Sequence, residues 1–323
     1  MSKIRKTSKS KPKTRTNSLE TLKPGDLIEI IAPGSHAPLE NLEKGAEVLR
    51  SWGYRVTYDS QLLQPHIFLA NSDEKRFDSF KKAIKNPESK AIWCLRGGYG
   101  AIRLLPMIEK MPVPKNKKLL IGLSDISSLH AIINQKWKWP SLHASLIDRL
   151  ALNKLSPENS NELHSVLKDH NYVTLFKNLI PINTSAVSNK TIKAEVVGGN
   201  LMVVTSTLGT PSQIKTRNKI LFLEEIAERA YRVDRCLQQL KQAGALDGVL
   251  AVVFGDFVNC NEPNGENHIW ATIEAFCKTL KIPFFKGVEC GHGDQQRPIF
   301  FNTSAHLTCG KKPQMLVYSP FKK

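Results

Sequence analysis

The chain has 323 residues, of which 41% are hydrophobic and 23% charged, and its formal net charge is +17. This length and composition indicate a globular protein large enough for two domains, and no run of 18 apolar residues predicts a membrane span. The cysteines contain no Cys-x-x-Cys pair, which favours buried, reduced thiols in a cytoplasmic protein over a disulfide framework or a zinc site. They are Cys94, Cys236, Cys260, Cys277, Cys290 and Cys309.

Much of the positive charge lies at the start of the chain. Residues 1–15 hold seven basic residues and no acidic one. They contain no apolar segment, so they do not form a secretory signal. We expect residues 1–22 to be a disordered basic tail. It is either a solvated tail, which we favour, or an arm that contacts anionic surfaces such as nucleic acid or membrane.

In the first half of the chain, apolar strands alternate with amphipathic helices. This order predicts an α/β fold with a parallel sheet and ligand-binding loops at the carboxyl ends of its strands. We expect strands over 26–32, 54–58 and 91–95, helices over 40–52 and 73–86, then a further helix and a strand that ends at Ser124.

The second half follows a polar stretch and has more β character. We expect an N-terminal domain over 23–160, a linker over 161–190 and a C-terminal domain over 191–323. Its predicted strands are 193–197, 220–223, 250–254, 304–309 and 314–318, with helices after Gly198-Gly199-Asn200 and over 231–243 and 268–280.

Ser124 lies where a buried strand turns into a helix, in the stretch Gly122-Leu123-Ser124-Asp125-Ile126. Such a turn lifts a hydroxyl clear of the sheet beside the first N–H groups of the helix, which suits an acyl-transfer nucleophile. The alternative is a plain helix-capping serine. The second glycine of the G-x-S-x-G elbow is missing, which argues against an ordinary α/β-hydrolase.

A glycine-rich loop, Arg96-Gly97-Gly98-Tyr99-Gly100, follows the 91–95 strand. Glycines at this place let the backbone approach a ligand closely, although a tight turn would need them as well. The loop matches neither the dinucleotide-binding nor the Walker fingerprint, so a nucleotide cofactor is not predicted.

A serine nucleophile needs a base, and three histidines are candidates: His130, His143 and His292. His292 lies between glycines after a strand over 284–288, so its ring could be presented freely. Glu224 and Glu225 follow the 220–223 strand, and either could orient a base. Spacing alone leaves open that these histidines are packed and that the acids are solvated.

Taken in chain order, these segments resemble the LD-carboxypeptidase family, serine peptidases that trim murein tetrapeptides and are related to the microcin C immunity peptidases. The matching segments are 31–35, 96–105, 121–126, 197–211, 220–235, 255–257 and 291–293. The resemblance implies a Rossmann-like N-terminal domain, a β-richer α/β C-terminal domain, and an active site in the cleft between them.

The resemblance also implies roles for individual residues. Ser124 would be the nucleophile, His292 the base, and Glu224, rather than Glu225, the residue that orients the base. The oxyanion hole would consist of the backbone N–H groups of Gly98 and Asp125. Substrate contacts would come from Arg96, Gly97, Tyr99 and Arg232.

The same resemblance implies a homodimer without metal or other cofactor. Its substrate would be a murein tetrapeptide or muropeptide, cleaved between diaminopimelate and the terminal D-Ala during peptidoglycan recycling. One departure from the family pattern is His143-Ala144-Ser145, where members commonly carry His-Gly-Pro. This change alters backbone freedom near the site and bears on substrate preference.

Two other functions are compatible with parts of the sequence. An immunity-type peptidase that cleaves a peptidyl-nucleotide antibiotic would need an aromatic platform, and Trp137, Trp139 and Trp270 are candidates unless they pack in the core. A non-catalytic nucleic-acid-binding protein is suggested only by the net charge, and we consider nucleic acid an improbable partner.

Overall fold

The computed structural model describes residues 19–322, which form two β-sheets flanked by helices. The strands are β1 Leu27–Ile31, β2 Arg55–Thr57, β3 Ser89–Cys94, β4 Leu119–Gly122, β5 Ser141–His143, β6 Val173–Phe176, β7 Ile180–Pro181, β8 Thr191–Asn200, β9 Ile220–Ile226, β10 Ala251–Val258, β11 Phe284–Lys286, β12 Ile299–Phe301, β13 Ser304–Thr308 and β14 Gln314–Tyr318. The α-helices are α1 Leu39–Ser51, α2 Asp73–Lys85, α3 Leu105–Glu109, α4 Ser127–Ile132, α5 Ile147–Ala151, α6 Pro157–Lys168, α7 Leu201–Ser206, α8 Ala230–Gln242 and α9 Ile269–Cys277.

The first sheet has the strand order β12-β5-β4-β3-β1-β2. The five strands β1 to β5 are parallel, and β12 is added antiparallel to β5. The chain moves outward in opposite directions from β1 and β3, and in such sheets ligands bind at the carboxyl ends of the strands on either side of this reversal. The α/β class predicted from the alternating strands and helices is confirmed.

The second sheet has the order β6-β14-β13-β8-β9-β10-β11-β7. Its centre, β8 to β11, is parallel, and the remaining strands are antiparallel additions on both sides. Because β9 and β10 are almost entirely buried, their sequences are continuous apolar runs rather than alternating ones. The carboxyl ends of β8, β9 and β10 lie side by side, which brings together residues far apart in the chain.

One hydrophobic core is shared by both sheets. It includes Ile28 of β1, Leu42 of α1, Phe222 of β9 and Phe285 of β11, all almost fully buried. Two further apolar clusters lie on the outer faces, one beneath α2 to α4 and one beneath α7 to α9. The two sheets are therefore packed against each other through a common interior.

The structure differs from the sequence-based boundaries at two places. Most of the expected basic tail lies outside the described residues, but Leu19 and Leu22 are buried, and Leu22 N–H donates to Leu167 O at 2.8 Å. The expected linker 161–190 contains the end of α6 and the strands β6 and β7. Its polar residues conceal an amphipathic helix that buries Leu163 and Leu167 on one face.

Among the helices of residues 19–322, none is long and apolar enough to cross a bilayer. The cysteine side chains, all six of which fall within this range, are buried and unpaired.

Candidate active site

Ser124 lies at a sharp turn between β4 and a short 3₁₀ turn, Ser124–Ile126, that leads into α4. Its φ is +67°, a left-handed conformation that is uncommon outside glycine and that marks strain at functional turns. The strand before it and Asp125 after it are buried, whereas Ser124 is partly exposed. Its hydroxyl makes no hydrogen bond with any residue of 19–322 and is therefore available to a ligand.

The glycine loop packs directly against Ser124. A Cβ added at Gly97 would lie 2.8 Å from Ser124 Cβ and 3.1 Å from Ser124 Oγ, so a side chain at Gly97 would collide with the nucleophile turn. Gly98 follows with φ +78°. Ser35, after β1, fixes this loop, because its N–H donates to Gly97 O at 2.9 Å and its hydroxyl accepts from Tyr99 N–H at 3.1 Å.

Two backbone N–H groups beside Ser124 are unoccupied. Those of Gly98 and Asp125 donate to no partner among the described residues. The Asp125 carboxylate points away and accepts from Ala101 N–H at 2.8 Å, which ties the nucleophile turn to the end of the glycine loop. Burial raises the pKa of Asp125 to about 6, against the hydrogen bond from Ala101 and the charge of Arg76.

Arg76 is a structural arginine that sequence reasoning missed. It is 2% exposed, and its guanidinium donates to Asn71 O at 3.1 Å, to Gly100 O at 2.9 Å and to Pro33 O. It is also paired with Asp73. One buried cation thereby joins the loops that follow β1 and β3. Arg76 lies on the same face of α2 as the buried Phe80 and Ile84, so helical periodicity carries a signal of its burial that the charge of the residue obscures.

Glu224 and His292 form a short, buried polar contact at the end of the second sheet. His292 Nδ1 donates to Glu224 Oε2 at 2.6 Å, with side chains 9% and 0% exposed. Burial lowers the pKa of His292, but the negative charge and hydrogen bond of Glu224 outweigh it, so the pKa is raised. The contact fixes the tautomer, leaving Nε2 as the nitrogen free to take a proton.

Glu225 points to the other side of the strand. Its carboxylate accepts from Asn200 Nδ2 at 2.7 Å and from Met202 N–H at 2.8 Å, at the start of α7. Burial, and then the charge of Glu224, raise its pKa to about 7. Of the two acids, only Glu224 contacts His292 within the described residues, and Glu225 supports the fold.

Asp256 lies beside this pair, and the sequence analysis assigns it no role. Its carboxylate accepts from Gly293 N–H at 3.3 Å, next to His292. Burial raises the pKa of Asp256 to about 6, and the charge of Glu224 adds to the effect. Asp256 therefore anchors the loop that carries His292.

The two sheets meet at the nucleophile turn. Asn200 N–H, at the end of β8, donates to Ser127 Oγ at 2.9 Å, one turn after Ser124. Asn200 is also the register partner of Glu224 across β8 and β9. The carboxyl ends of β4, β8 and β9 thus converge, which brings the predicted nucleophile and the Glu224–His292 pair to one place.

The other two candidate histidines are buried in the core. His130 donates through Nε2 to Gly122 O and accepts through Nδ1 from the Ser141 hydroxyl, both at 2.8 Å. Burial lowers its pKa to about 4. His143 is 0% exposed among aromatic rings, with both nitrogens unpartnered within the described residues, and burial lowers its pKa well below the usual range. Neither is exposed to a substrate.

The Ala144-Ser145 departure is also buried. Ser145 O accepts from Trp93 Nε1 at 2.8 Å, and Ala144 N–H donates to Gly122 O at 3.2 Å. Trp137 and Trp139 are 3% and 1% exposed, so these two tryptophans are core residues and not an open platform. Trp270 packs on Phe254 and Phe257.

The predicted substrate-binding side chains are exposed, but both arginines are engaged. Arg96 lies 3.8 Å from Asp148, and Arg232 lies 3.3 Å from Glu228. Tyr99 is 47% exposed. Within the described residues no group of three or more His, Cys, Asp or Glu side chains could hold a metal ion.

Comparison with known proteins decides the family. Residues 28–144 match the model of the LD-carboxypeptidase N-terminal domain, and residues 193–307 match that of the C-terminal domain. The chain belongs to the LD-carboxypeptidase family. As a member of this family it is a serine-type carboxypeptidase.

Relatives of this LD-carboxypeptidase family member carry similar names. A Rickettsia conorii protein that is named as a carboxypeptidase is 36% identical over 250 residues, which cover 77% of this chain and 78% of that protein. The probable murein peptide carboxypeptidase of Bacillus subtilis is 29% identical over 300 residues, 92% of this chain and 93% of that protein.

Solved structures share the whole fold. The muramoyltetrapeptide carboxypeptidase of Oxalobacter formigenes aligns with a TM-score of 0.79 at 28% identity, covering 92% of this chain and 100% of that one. The microcin C7 self-immunity protein in complex with glutamyl sulfamoyl guanosine aligns with a TM-score of 0.81, covering 95% and 100%. At 17% identity the latter likeness concerns the fold alone.

Proposed function

We propose that this carboxypeptidase hydrolyses the L,D bond between diaminopimelate and the terminal D-Ala of murein tetrapeptides, in peptidoglycan recycling. The observation that carries the proposal is the 2.6 Å contact between His292 Nδ1 and Glu224 Oε2, at the strand ends that converge on the strained turn of Ser124. The names of the murein carboxypeptidase relatives support the choice of substrate.

In the proposed reaction, Ser124 Oγ attacks the carbonyl carbon of diaminopimelate and transfers its proton to His292 Nε2. Glu224 stabilises the resulting imidazolium through Nδ1. The unoccupied N–H groups of Gly98 and Asp125 support the assignment of an oxyanion hole, because they are donors without partners among the described residues.

Collapse of the tetrahedral intermediate breaks the C–N bond, and His292 gives its proton to the leaving amine of D-Ala. Water then attacks the acyl-enzyme, with His292 acting as base again, and releases the tripeptide. In the free protein, Ser124 Oγ and His292 are not hydrogen-bonded to each other, although both residues are described. The hydrogen bond between a nucleophile and its base often shortens only when substrate binds.

The test is mass spectrometry of purified murein tetrapeptide after incubation with the protein. We expect conversion to tripeptide and free D-Ala, abolished in Ser124→Ala. A tetrapeptide ending in L-Ala and an aminoacyl sulfamoyl adenylate serve as parallel substrates. Faster cleavage of the adenylate, or release of D-Ala by Ser124→Ala at the wild-type rate, would contradict the proposal.

A further inference from the structure

Arg149, on α5, has a guanidinium that no described residue pairs with. The residue is half-buried, and its Nε is buried without a hydrogen bond in the described part of the chain. Among residues 19–322 its guanidinium makes no hydrogen bond or ion pair, whereas that of Arg297, which is also partly buried, donates to Glu162 at 2.7 Å. Burying a cation is costly unless an anion compensates it. Asp148 and Asp294 compensate this charge through space without a direct ion pair, so the guanidinium is free to take an anionic ligand.

The fold places Arg149 beside the loop that carries His292. Strands β5 and β12 are antiparallel, with His143 opposite Ile299. The chain that leaves β5 towards Arg149 therefore runs alongside the chain that enters β12 from His292. Asn159, on α6, holds the same loop by donating to Asp294 O at 3.4 Å.

Electrostatic effects agree with this placement. Burial and the positive charge of Arg149 both oppose protonation of His292, although Glu224 outweighs them and the pKa of His292 is raised. Burial lowers the pKa of Arg149 itself, against the negative charges of Asp148 and Asp294. The guanidinium thus lies within electrostatic range of both His292 and Asp294.

We propose that Arg149 binds the free α-carboxylate of the departing D-amino acid. This inference rests on the proposed function, in which His292 protonates the leaving amine. A cation beside His292 therefore lies on the leaving-group side of the scissile bond. The planar fork of arginine binds a carboxylate through two parallel hydrogen bonds. The two arginines expected from the sequence to contact substrate, Arg96 and Arg232, already face Asp148 and Glu228.

The substrate carries a second carboxylate, on the side chain of diaminopimelate, and the experiment separates the two. Arg149→Met and Arg149→Lys are assayed on three substrates: the tetrapeptide, its C-terminal D-alaninamide form, and a form amidated on the diaminopimelate side chain. Arg217→Met is the control. Arg217 is exposed and precedes the amino end of β9, whereas Glu224 lies near the carboxyl end of the same strand.

We expect Arg149→Met to raise KM for the tetrapeptide by about 10- to 100-fold, because the substitution removes hydrogen bonding to a charged group. The change in kcat should be smaller. Its kcat/KM on the D-alaninamide form should match that of the wild type, because the carboxylate is already absent there. Arg149→Lys should recover part of the affinity, and Arg217→Met should behave as the wild type.

The inference is overturned if Arg149→Met discriminates between the acid and the C-terminal amide as strongly as the wild type does. It is also overturned if only discrimination against amidated diaminopimelate is lost. If Arg149→Met does not fold, the same comparison is made with Arg149→Lys, whose acid-to-amide preference must be smaller than that of the wild type. A wild-type protein that releases no D-Ala from the tetrapeptide contradicts the proposed function instead.

Discussion

Replacement of Glu224 by Gln tests the central contact of the proposed mechanism. The substitution keeps the shape of the side chain but removes the charge that faces His292 at 2.6 Å. Two unit charges about 4 Å apart interact by about 4 kcal/mol at an effective dielectric constant of about 20. If this energy stabilises the imidazolium of the transition state, its loss lowers kcat/KM by about 10³-fold.

The pH profile gives a second readout of the same change. The base must be neutral in the free enzyme, so the acid limb of kcat/KM follows the pKa of His292. In the wild type, Glu224 raises this pKa against burial, and without Glu224 burial and Arg149 lower it. We therefore expect Glu224→Gln to move the acid limb to lower pH while lowering the plateau.

The assay is release of D-Ala from tetrapeptide between pH 5 and pH 9, with thermal unfolding measured in parallel. Glu225→Gln is a matched control, because Glu225 is equally buried in the same strand but binds Asn200 and Met202 instead of His292. We expect it to lose much less activity than Glu224→Gln. A Glu224→Gln variant that retains more than about a tenth of wild-type kcat/KM and an unmoved acid limb would refute the reasoning.

Three further predictions concern the surroundings of this pair. The wild-type acid limb should lie above the ordinary histidine pKa of about 6.5, since the pKa of His292 is raised, and a limb below that value in the kcat/KM profile would be inconsistent with the Glu224 contact. Gly97→Ala should lower kcat at least about tenfold with a small change in melting temperature, because its Cβ would press on Ser124, whereas Gly265→Ala, which meets no atom within 4 Å, should keep full activity; equal kinetics would contradict this. The pKa of Glu225 is raised to about 7, so between about pH 4.5 and pH 7 the native state keeps a proton that the unfolded state has lost, and the free energy of unfolding falls as pH rises through this range. Urea unfolding should therefore show the wild type losing about 3 kcal/mol between pH 5 and pH 8 relative to Glu225→Gln, and plots of unfolding free energy against pH that run parallel for the two proteins would exclude the shift.

The local parts of the site could be predicted from the sequence. The apolar run before Ser124 and the Gly residues before Tyr99 indicate a strand followed by a turn, and the structure has both. Glu224 is expected at the end of a strand because the two acids directly follow an apolar run. In the structure it lies near the carboxyl end of β9. These features depend on neighbours in the chain, which periodicity reports well.

The long-range parts could not be predicted in this way. The three-residue strand β12 pairs with β5 although about 155 residues separate them, a pairing that no local pattern encodes. The end of α6 and β6 were missed for a different reason, because the polar composition of 161–190 concealed the local apolar positions of α6, such as Leu163 and Leu167. The proposed role of Arg149 depends on this pairing, because its own short helix α5, in which Ile147 and Leu150 are buried, contains no motif that indicates an anion site.

The pairing of β5 with β12 also explains how the parts of the site are held together. Ser124 follows β4 of the first sheet, whereas His292 lies in the loop before β12, which joins that same sheet after the chain has completed most of the second. The second sheet is tied back by the hydrogen bond from Asn200 N–H to Ser127 Oγ. With two links and a shared core, the separation of Ser124 and His292 depends on the packing of the whole molecule and not on a hinge. Because the proposed catalytic groups are held by this packing, we expect substrate binding to shorten the distance from Ser124 Oγ to His292 and to place the scissile carbonyl between them.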